Sequence, residues 1–527
     1  MIITEILARN ARMYGADTAL VERDPEKRLR REISWQAFHE TGNRLANALI
    51  KRGVQKGDRV ICLMTNCLEW LPVYFGILRT GAVAAPLNFR FGADEIRHCA
   101  NVAEARAFIF GPEFTGKIAS IKKDLDKTVG TYIFSGVRDL CPDWAVLLSD
   151  FIDSEPPDDP SVEIVLADRA AIYFTSGTTG TPKAALLTHR NLEFACYLEN
   201  RHHNQTRRDN FLCIPPLYHA GAKMHWFGNF IVGAKAVILK GVKPEWILEA
   251  VSEEEATVVW LLVPWALDIL FAIKSGEVRL SKYKLSQWRL MHIGAQPVPP
   301  SLVLEWLKQF PNQQYDTNYG LTECSGPGCV HLGVENPHKV GAIGRPGFDW
   351  ETRITDMDGG PVKPGEPGEL WVRGPGVMTG YYRNAEATEA VLKDGWLATG
   401  DMAKTDEDGF IWLVDRKKDV IISGGENIYP VEIENFLHTH DKIADAAVIG
   451  LPSLRLGEIP AAVIKVKEGQ TITMEELDAF CEGLPRYKRP RRYFFGEVPR
   501  NPTGKIEKPK LRKRYAGMEE SFKVAKE

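Results

Sequence analysis

From about residue 30 to residue 300, short apolar runs alternate with helix-like stretches, and nothing else in the chain restricts the fold as much. VICLM precedes a helical stretch near Trp70, and AAPL and AFIF follow it. Runs that are apolar throughout suit strands buried on both faces, so the pattern predicts α/β layers with largely parallel sheets. Between about 340 and 415 the texture changes to ETRITDMDGG, GELWVRG and GFIWLVD, short strands punctuated by Gly, Pro and Asp, which predicts a small β-barrel-like lobe. After the charged segment RKKD, the runs AAVIG and AAVIKVK and the helical MEELDAFCEGL predict a smaller α+β domain. The expected division is an N-terminal domain over 1–416 and a smaller C-terminal domain over 417–527. No internal repeat and no low-complexity tract is visible.

At 527 residues the chain exceeds one hydrophobic core, so several lobes are expected. Its 66 Lys and Arg against 69 Asp and Glu create no whole-protein field for nucleic acid or a membrane, so any anion site must be local. The nine cysteines include no Cys-x-x-Cys pair, and no Cys/His cluster has metal-ligand spacing. That argues against a disulfide framework or a structural zinc site and for reduced, mostly buried thiols. The start MIITEILARNARMYG resembles an amphipathic first helix more than a secretory signal. Ala256 to Ile273 is the most membrane-like stretch, yet Pro264, Asp268 and a β-branched start make it a buried strand-helix unit. A cytoplasmic protein without integral membrane association is expected.

The run AIYFTSGTTGTPKAALLTH sets an apolar strand before Thr175, Ser176, Gly177, Thr178, Thr179, Gly180, Thr181, Pro182 and Lys183. Glycines let backbone N–H groups turn toward an anion, hydroxyls add donors, and the lysine brings a mobile positive charge. It is not a Walker loop, because Thr-Pro separates Gly180 from Lys183 and alanines follow. TSGTTGTPK resembles the phosphate loop of the adenylate-forming superfamily, which holds acyl- and aryl-CoA synthetases, peptide-synthetase adenylation domains and beetle luciferases. Matching motifs follow in family order from about Ala171 to Lys508. Ala184 departs from the family, which has glycine after the lysine.

The resemblance implies a site. Asp316, Thr317, Asn318, Tyr319, Gly320, Leu321, Thr322 and Glu323 match the Tyr-Gly-x-Thr-Glu motif: tyrosine to stack on adenine, Thr322 to reach the α-phosphate, Glu323 to hold Mg²⁺. Gly294, Ala295, Gln296 and Pro297 resemble the turn lining the adenine and acyl sites. Asp401 and Arg416 stand where the family binds ribose hydroxyls. Lys505, in RNPTGKIEK, matches the lysine that the small domain inserts for adenylation. Lys418 is the hinge position in DRKKDVIISGGENIYPVEIE, and Gly424 and Gly425 border the coenzyme A channel. PRYKRPRR could meet coenzyme A phosphates or simply face solvent. In PPLYHAGAK, His219 borders the acyl and thiol channels, with Gly221 and Lys223 beside it. Lys223 replaces an apolar residue; it could meet a second carboxylate, but a bond to solvent or a surface acid is the plainer expectation. Trp226, Trp260 and Trp265 are pocket walls or simply core. The aspartate that would meet an amino-acid substrate's ammonium is missing.

The implied activity is that of an AMP-forming acyl-CoA synthetase. A carboxylic acid and ATP give an acyl-adenylate and pyrophosphate, coenzyme A then takes the acyl group, and the whole is reversible. Another acceptor, either a carrier-protein thiol or oxygen, and a non-catalytic nucleotide-binding protein remain as alternatives. A homodimer is open to such a chain.

Overall fold

The computed structural model describes residues 1–175, 182–294, 298–326, 328–356, 358–500 and 506–518. Ser176, Gly177, Thr178, Thr179, Gly180, Ala295, Gln296 and Lys505 lie outside the described residues. The chain divides into two compact units, one comprising Met1–Gly294, Val298–Glu351 and Val372–Leu397, the other including Thr352–Trp371 and Ala398–Glu527.

The first unit holds two large sheets. One has the strand order Arg345–Pro346, Val330–His331, Gln314–Tyr319, Leu290–Gly294, Val258–Leu262, Asn210–Cys213, Lys235–Leu239, Thr18–Asp24, Leu29–Ser34. Its middle is parallel and its edges antiparallel. Val258–Leu262 reads VVWLL and every residue is buried, as a central parallel strand requires. The helix Val263–Ser275 follows at once with a proline in its first turn, where the missing N–H costs nothing, so the membrane-like stretch is a strand-helix unit. No helix among the described residues is long and apolar enough to cross a membrane.

The other sheet runs Gly380–Tyr381, Lys183–Thr188, Arg169–Thr175, Val83–Pro86, Arg59–Leu63, Ala107–Phe110, Thr131–Phe134, Val146–Leu147. Ile61, Leu63, Phe108, Phe110 and Phe134 form its buried core with Ile96 and Ile118. The helix Trp70–Arg79 packs on the helix Trp35–Lys51, whose N-cap Ser34 accepts the Ala37 N–H. A Cβ on Gly76 would lie 2.9 Å from the Gly42 carbonyl oxygen, so the small residue permits that approach.

A small sheet, most of whose residues fall in the second unit, includes Glu351–Thr355, Gly368–Arg373, Trp396–Thr405 and Ile411–Arg416. A further sheet orders Glu426–Ile428, Ile421–Ser423, Gly457–Val466 and Ile443–Ser453, with Arg492–Phe495 beside Gly457–Val466. Along Ile443–Ser453, Ala446 and Val448 join one apolar cluster while Ala447, Ile449 and Leu451 join another. Period-two alternation with both faces covered explains why AAVIG is continuously apolar. Met402, Val414 and Tyr429 cluster together, and the Asp415 carboxylate accepts the Val431 N–H at 2.9 Å. These contacts tie the small lobe to residues that follow it in the second unit. Seven of the nine cysteines are buried and none is bridged.

Candidate active site

The Gly/Thr loop leaves one strand of an antiparallel pair and returns on the other, so Thr175 sits directly opposite Lys183 at its base. Gly380–Tyr381 pairs with Lys183–Thr188 on its far side, setting Tyr381 opposite Ala185. That register puts the Lys183 ammonium 5.1 Å from the centre of the Tyr381 ring, a cation–π contact. The Tyr381 hydroxyl donates to Glu323 Oε1 at 2.8 Å. Burial and the adjacent Glu323 carboxylate both push the Tyr381 phenol far up, which keeps it a donor. Lys183, Tyr381 and Glu323 therefore converge at the strand pair that carries Thr175 and Lys183. Tyr381 was absent from the sequence reading, since GYY carries no motif signal; only the strand register reveals it.

Glu323 belongs to the 3₁₀ turn Thr322–Cys324 that follows the strand Gln314–Tyr319 and Gly320. Its carbonyl accepts the Met378 N–H at 2.8 Å, and the Ser325 hydroxyl donates to the Gly376 carbonyl at 2.6 Å. At Gly326, φ is +92° and an added Cβ would come 2.8 Å from the Ala220–Gly221 backbone. Glycine is needed there for both conformation and clearance. The turn is thereby wedged between the 374–378 segment and the start of the helix Ala220–Phe230.

His219 is the N-cap of that helix. A Cβ on Gly221 would approach the Trp260 ring to 3.2 Å, so the helix start packs close against an indole. Trp260 stacks on His225 with centres 4.2 Å apart. His225 Nδ1 donates to the Gly221 carbonyl, and its Nε2 accepts the Asn318 amide at 3.0 Å. Gly294, Asn318, His225, Trp260 and Gly221 thus form one contiguous group. Trp226 packs instead among Phe75, Phe227 and Phe230 as core.

Lys223 meets neither solvent nor a surface acid. It is fully buried, its amine donates to the Leu217 carbonyl at 3.2 Å, and it lies over the Tyr173, Tyr74 and Trp70 rings. Burial drives its pKa well below the ordinary lysine range. One helical turn past His219, the side chain projects into the aromatic core, a direction that sequence spacing alone did not disclose. Asp316 is also turned inward: its carboxylate accepts His203 Nε2 at 2.8 Å and the Gly333 N–H at 2.9 Å, and the pair of histidines beside it holds it well below the usual carboxylate range. Tyr319 is buried too, at the end of the same strand.

In the second unit, Asp401 and Arg416 face each other across antiparallel strands, with Arg416 Nε 3.7 Å from Asp401 Oδ1. Lys418 lies in the 3₁₀ turn Lys417–Asp419, and burial lowers its amine. Lys417 is anchored to Glu369 and Asp419 to Arg512, each at 2.8 Å. Gly424 and Gly425 form the two-residue connection between Ile421–Ser423 and Glu426–Ile428, with φ of +60° and +87°. Positive φ at both positions is the signature of a type I′ hairpin and explains the glycine pair.

The AMP-binding enzyme model matches residues 7–382, and the AMP-binding enzyme C-terminal domain model matches 432–505. The chain belongs to the AMP-binding enzyme family. It is 36% identical over 476 residues to a feruloyl-CoA synthase of Amycolatopsis, covering 90% of this chain and 92% of that protein. It is 31% identical over 499 residues to a long-chain-fatty-acid–CoA ligase of Mycobacterium tuberculosis, covering 92% and 93%. The structure of the anthranilate CoA ligase AuaEII with anthranoyl-AMP superposes with a TM-score of 0.87 at 26% identity, covering 98% and 97%. This member of the AMP-binding enzyme family is an AMP-forming acyl-CoA synthetase of the adenylate-forming superfamily, with ATP and coenzyme A as its common substrates.

Proposed function

We propose that the chain activates a carboxylic acid with a flat aromatic body, forming its adenylate at the Lys183–Tyr381–Glu323 group and passing the acyl chain to coenzyme A. The observation that carries this reading is the convergence of those three side chains at the base of the Gly/Thr loop. In it, Lys183 and the loop from Thr175 through Ser176, Gly177, Thr178, Thr179 and Gly180 hold the phosphates. Thr322 reaches the α-phosphate, and Gly294, Ala295, Gln296, Asn318, Tyr319 and Gly320 line the adenine side. Asp401 and Arg416 take the ribose hydroxyls.

Glu323 suits Mg²⁺: a half-buried carboxylate offers a hard oxygen, Tyr381 fixes Oε1, and Oε2 has no protein partner among the described residues. The ion would neutralise charge on the triphosphate. Lys505 bridges carboxylate and α-phosphate oxygens during adenylation. Rotation at Lys418 then withdraws it and brings Gly424 and Gly425 to the pantetheine arm.

Support for an aromatic acid comes from the stacked Trp260 and His225 rings beside Gly221, with His219 at the channel side. Two of the three relatives described above are named for aromatic acids. Lys223, occupied by backbone carbonyls within its cage, gives no support to a dicarboxylic substrate. Nearly balanced charge and unbridged thiols fit a cytoplasmic enzyme, alone or as a homodimer.

The test is pyrophosphate release over aromatic, alicyclic, fatty and dicarboxylic acids, with and without coenzyme A. An aromatic acid should give the highest kcat/KM, and preference for a long-chain acid would overturn the assignment of substrate class. Lys505→Ala should lose adenylation by about 10²–10³-fold yet still form thioester from synthetic acyl-adenylate. Equal loss of both steps would remove the alternating role of Lys505.

A further inference from the structure

Behind the strand that leads to Asn318 and Tyr319 lies a set of buried polar side chains that adenylation and thioester formation do not employ. Along the helix His189–His203 the buried stripe of Leu192, Ala195 and Cys196 continues onto Glu199 and His203, one turn apart. His292 comes from the strand Leu290–Gly294 and Asp316 from its neighbour Gln314–Tyr319. Glu199, His292 and Asp316 have no exposed surface, and His203 has 2%.

Among the described residues, Glu199 Oε1 and both nitrogens of His292 have no hydrogen-bond partner, and Glu199 Oε2 and His203 Nδ1 approach each other without hydrogen-bond geometry. Buried polar atoms without partners are rare and expensive, and here they point into one place. One ligand atom from each of Glu199, His203 and His292 lies within 4.8 Å of the others, with Glu199 Oε2 3.3 Å from His203 Nδ1. Tetrahedral zinc with ligands at about 2.0–2.1 Å spaces them about 3.4 Å apart, so a small closure suffices. The other ring nitrogen, His203 Nε2, donates to Asp316 at 2.8 Å, which orients Nδ1 toward Glu199. A carboxylate behind a ligating histidine is the recurrent support for metal-bound imidazole. His225, 4.7 Å from His292 between ring centres, has both nitrogens committed to Gly221 and Asn318 and forms the wall.

We propose that Glu199, His203 Nδ1 and His292 bind a divalent transition metal, Zn²⁺ by ligand type, with Asp316 as the positioning residue for His203. The competing arrangement is an imidazolium at His203 between two carboxylates. It leaves His292 with no partner among the described residues, and it neutralises both carboxylates only with a second proton on His331, whose Nδ1 lies 3.6 Å from the same Asp316 oxygen. A dication with neutral histidines balances Glu199 and Asp316 and engages all three orphaned groups. With Glu199 binding through both oxygens the ion would have four donor atoms and would tie the helix to the two strands whose ends carry Gly294, Asn318 and Tyr319, a structural site behind the reactive one. Because the cluster is sealed from solvent, loading accompanies folding.

The full-length chain should be expressed in zinc-supplemented medium, washed with chelator and assayed for metal. About one equivalent of zinc should remain, with X-ray absorption showing nitrogen and oxygen ligands at about 2.0–2.1 Å and no sulfur. Glu199→Gln and His292→Ala should each retain less than about a tenth of an equivalent. Should either variant fail to fold, wild-type chain refolded from denaturant decides: with Zn²⁺ present it should melt ~5 °C or more higher than with chelator. Absence of zinc from the supplemented and the refolded wild type would overturn the proposal. So would folded variants that keep a full equivalent, which would place the metal elsewhere.

Discussion

Asp401 meets Arg416 on the adjoining strand of one hairpin, and Gly424 and Gly425 are the whole of a second hairpin turn. Glu323, by contrast, depends on a tyrosine 58 residues away, and that tyrosine is placed by pairing with a strand that begins at Lys183. Local construction at these two hairpins means that a residue and its support are close in sequence. Long-range construction in the first unit means that a functional side chain is only as well placed as the packing of several distant segments. A local site fails when its own backbone is strained; a long-range one fails when any of its remote partners is removed.

The sharpest probe of that contrast is Glu323→Gln, which keeps the shape and removes the charge. Pyrophosphate release should fall about 10²-fold, with an increased magnesium requirement, measured with saturating acid and ATP. A fall of less than threefold would detach Glu323 from the phosphates.

Gly424→Ala tests the local half. A side chain at φ +60° is strained and its Cβ would sit 3.2 Å from Leu456, so the variant should lose about 2 kcal/mol of stability in denaturant unfolding. An unchanged midpoint would show that the turn tolerates a side chain.

Tyr381→Phe keeps the ring beneath Lys183 and deletes only the hydroxyl that holds Glu323. Adenylation should slow about tenfold, on the order of 1.4 kcal/mol, while thioester formation from preformed adenylate stays the same. If both steps slow equally, Tyr381 acts through general packing and the long-range support is lost as an explanation.

The smallest effect concerns Asp415, whose carboxyl burial pushes up to about 6, with Lys508 opposing. Because the folded pKa lies above the unfolded value of about 3.9, the folded chain binds the extra proton between those two values. Its contribution to stability therefore declines as pH rises through that window. Between about pH 5 and pH 7 wild type should lose on the order of 1 kcal/mol that Asp415→Asn does not, read from urea midpoints at both pH values. Parallel curves would remove Asp415 as the cause.

The fold was largely legible because burial on both faces writes itself as unbroken apolar runs: VVWLL, AFIF and AAVIG are all strands where that reading expects them. The Gly/Thr loop was legible as a motif, and its strand-to-strand frame emerges from the pairing of Thr175 with Lys183. The contacts of the small lobe were not legible: Met402 and Val414 meet Tyr429, and Asp415 reaches Val431. Nor was the metal cluster: spacing rules look for ligands close together in the chain, and Glu199 with His203 is a helical pair that looks like an ordinary polar face until its burial is known.

What the sequence alone determined was the layered α/β class and the family, because strand burial, glycine turns and compact motifs are local and leave local traces. Tertiary structure alone decided that Tyr381 supports Glu323, that Lys223 turns into an aromatic cage, and that Glu199, His203 and His292 share one dry space. Those outcomes are set by strand register and helix crossing. Gly228 illustrates why: a Cβ there would lie 2.8 Å from the Glu199 Cβ, so a missing side chain on one helix governs how closely the other can approach. Such proximity is a property of packed surfaces, and no window of consecutive residues contains it.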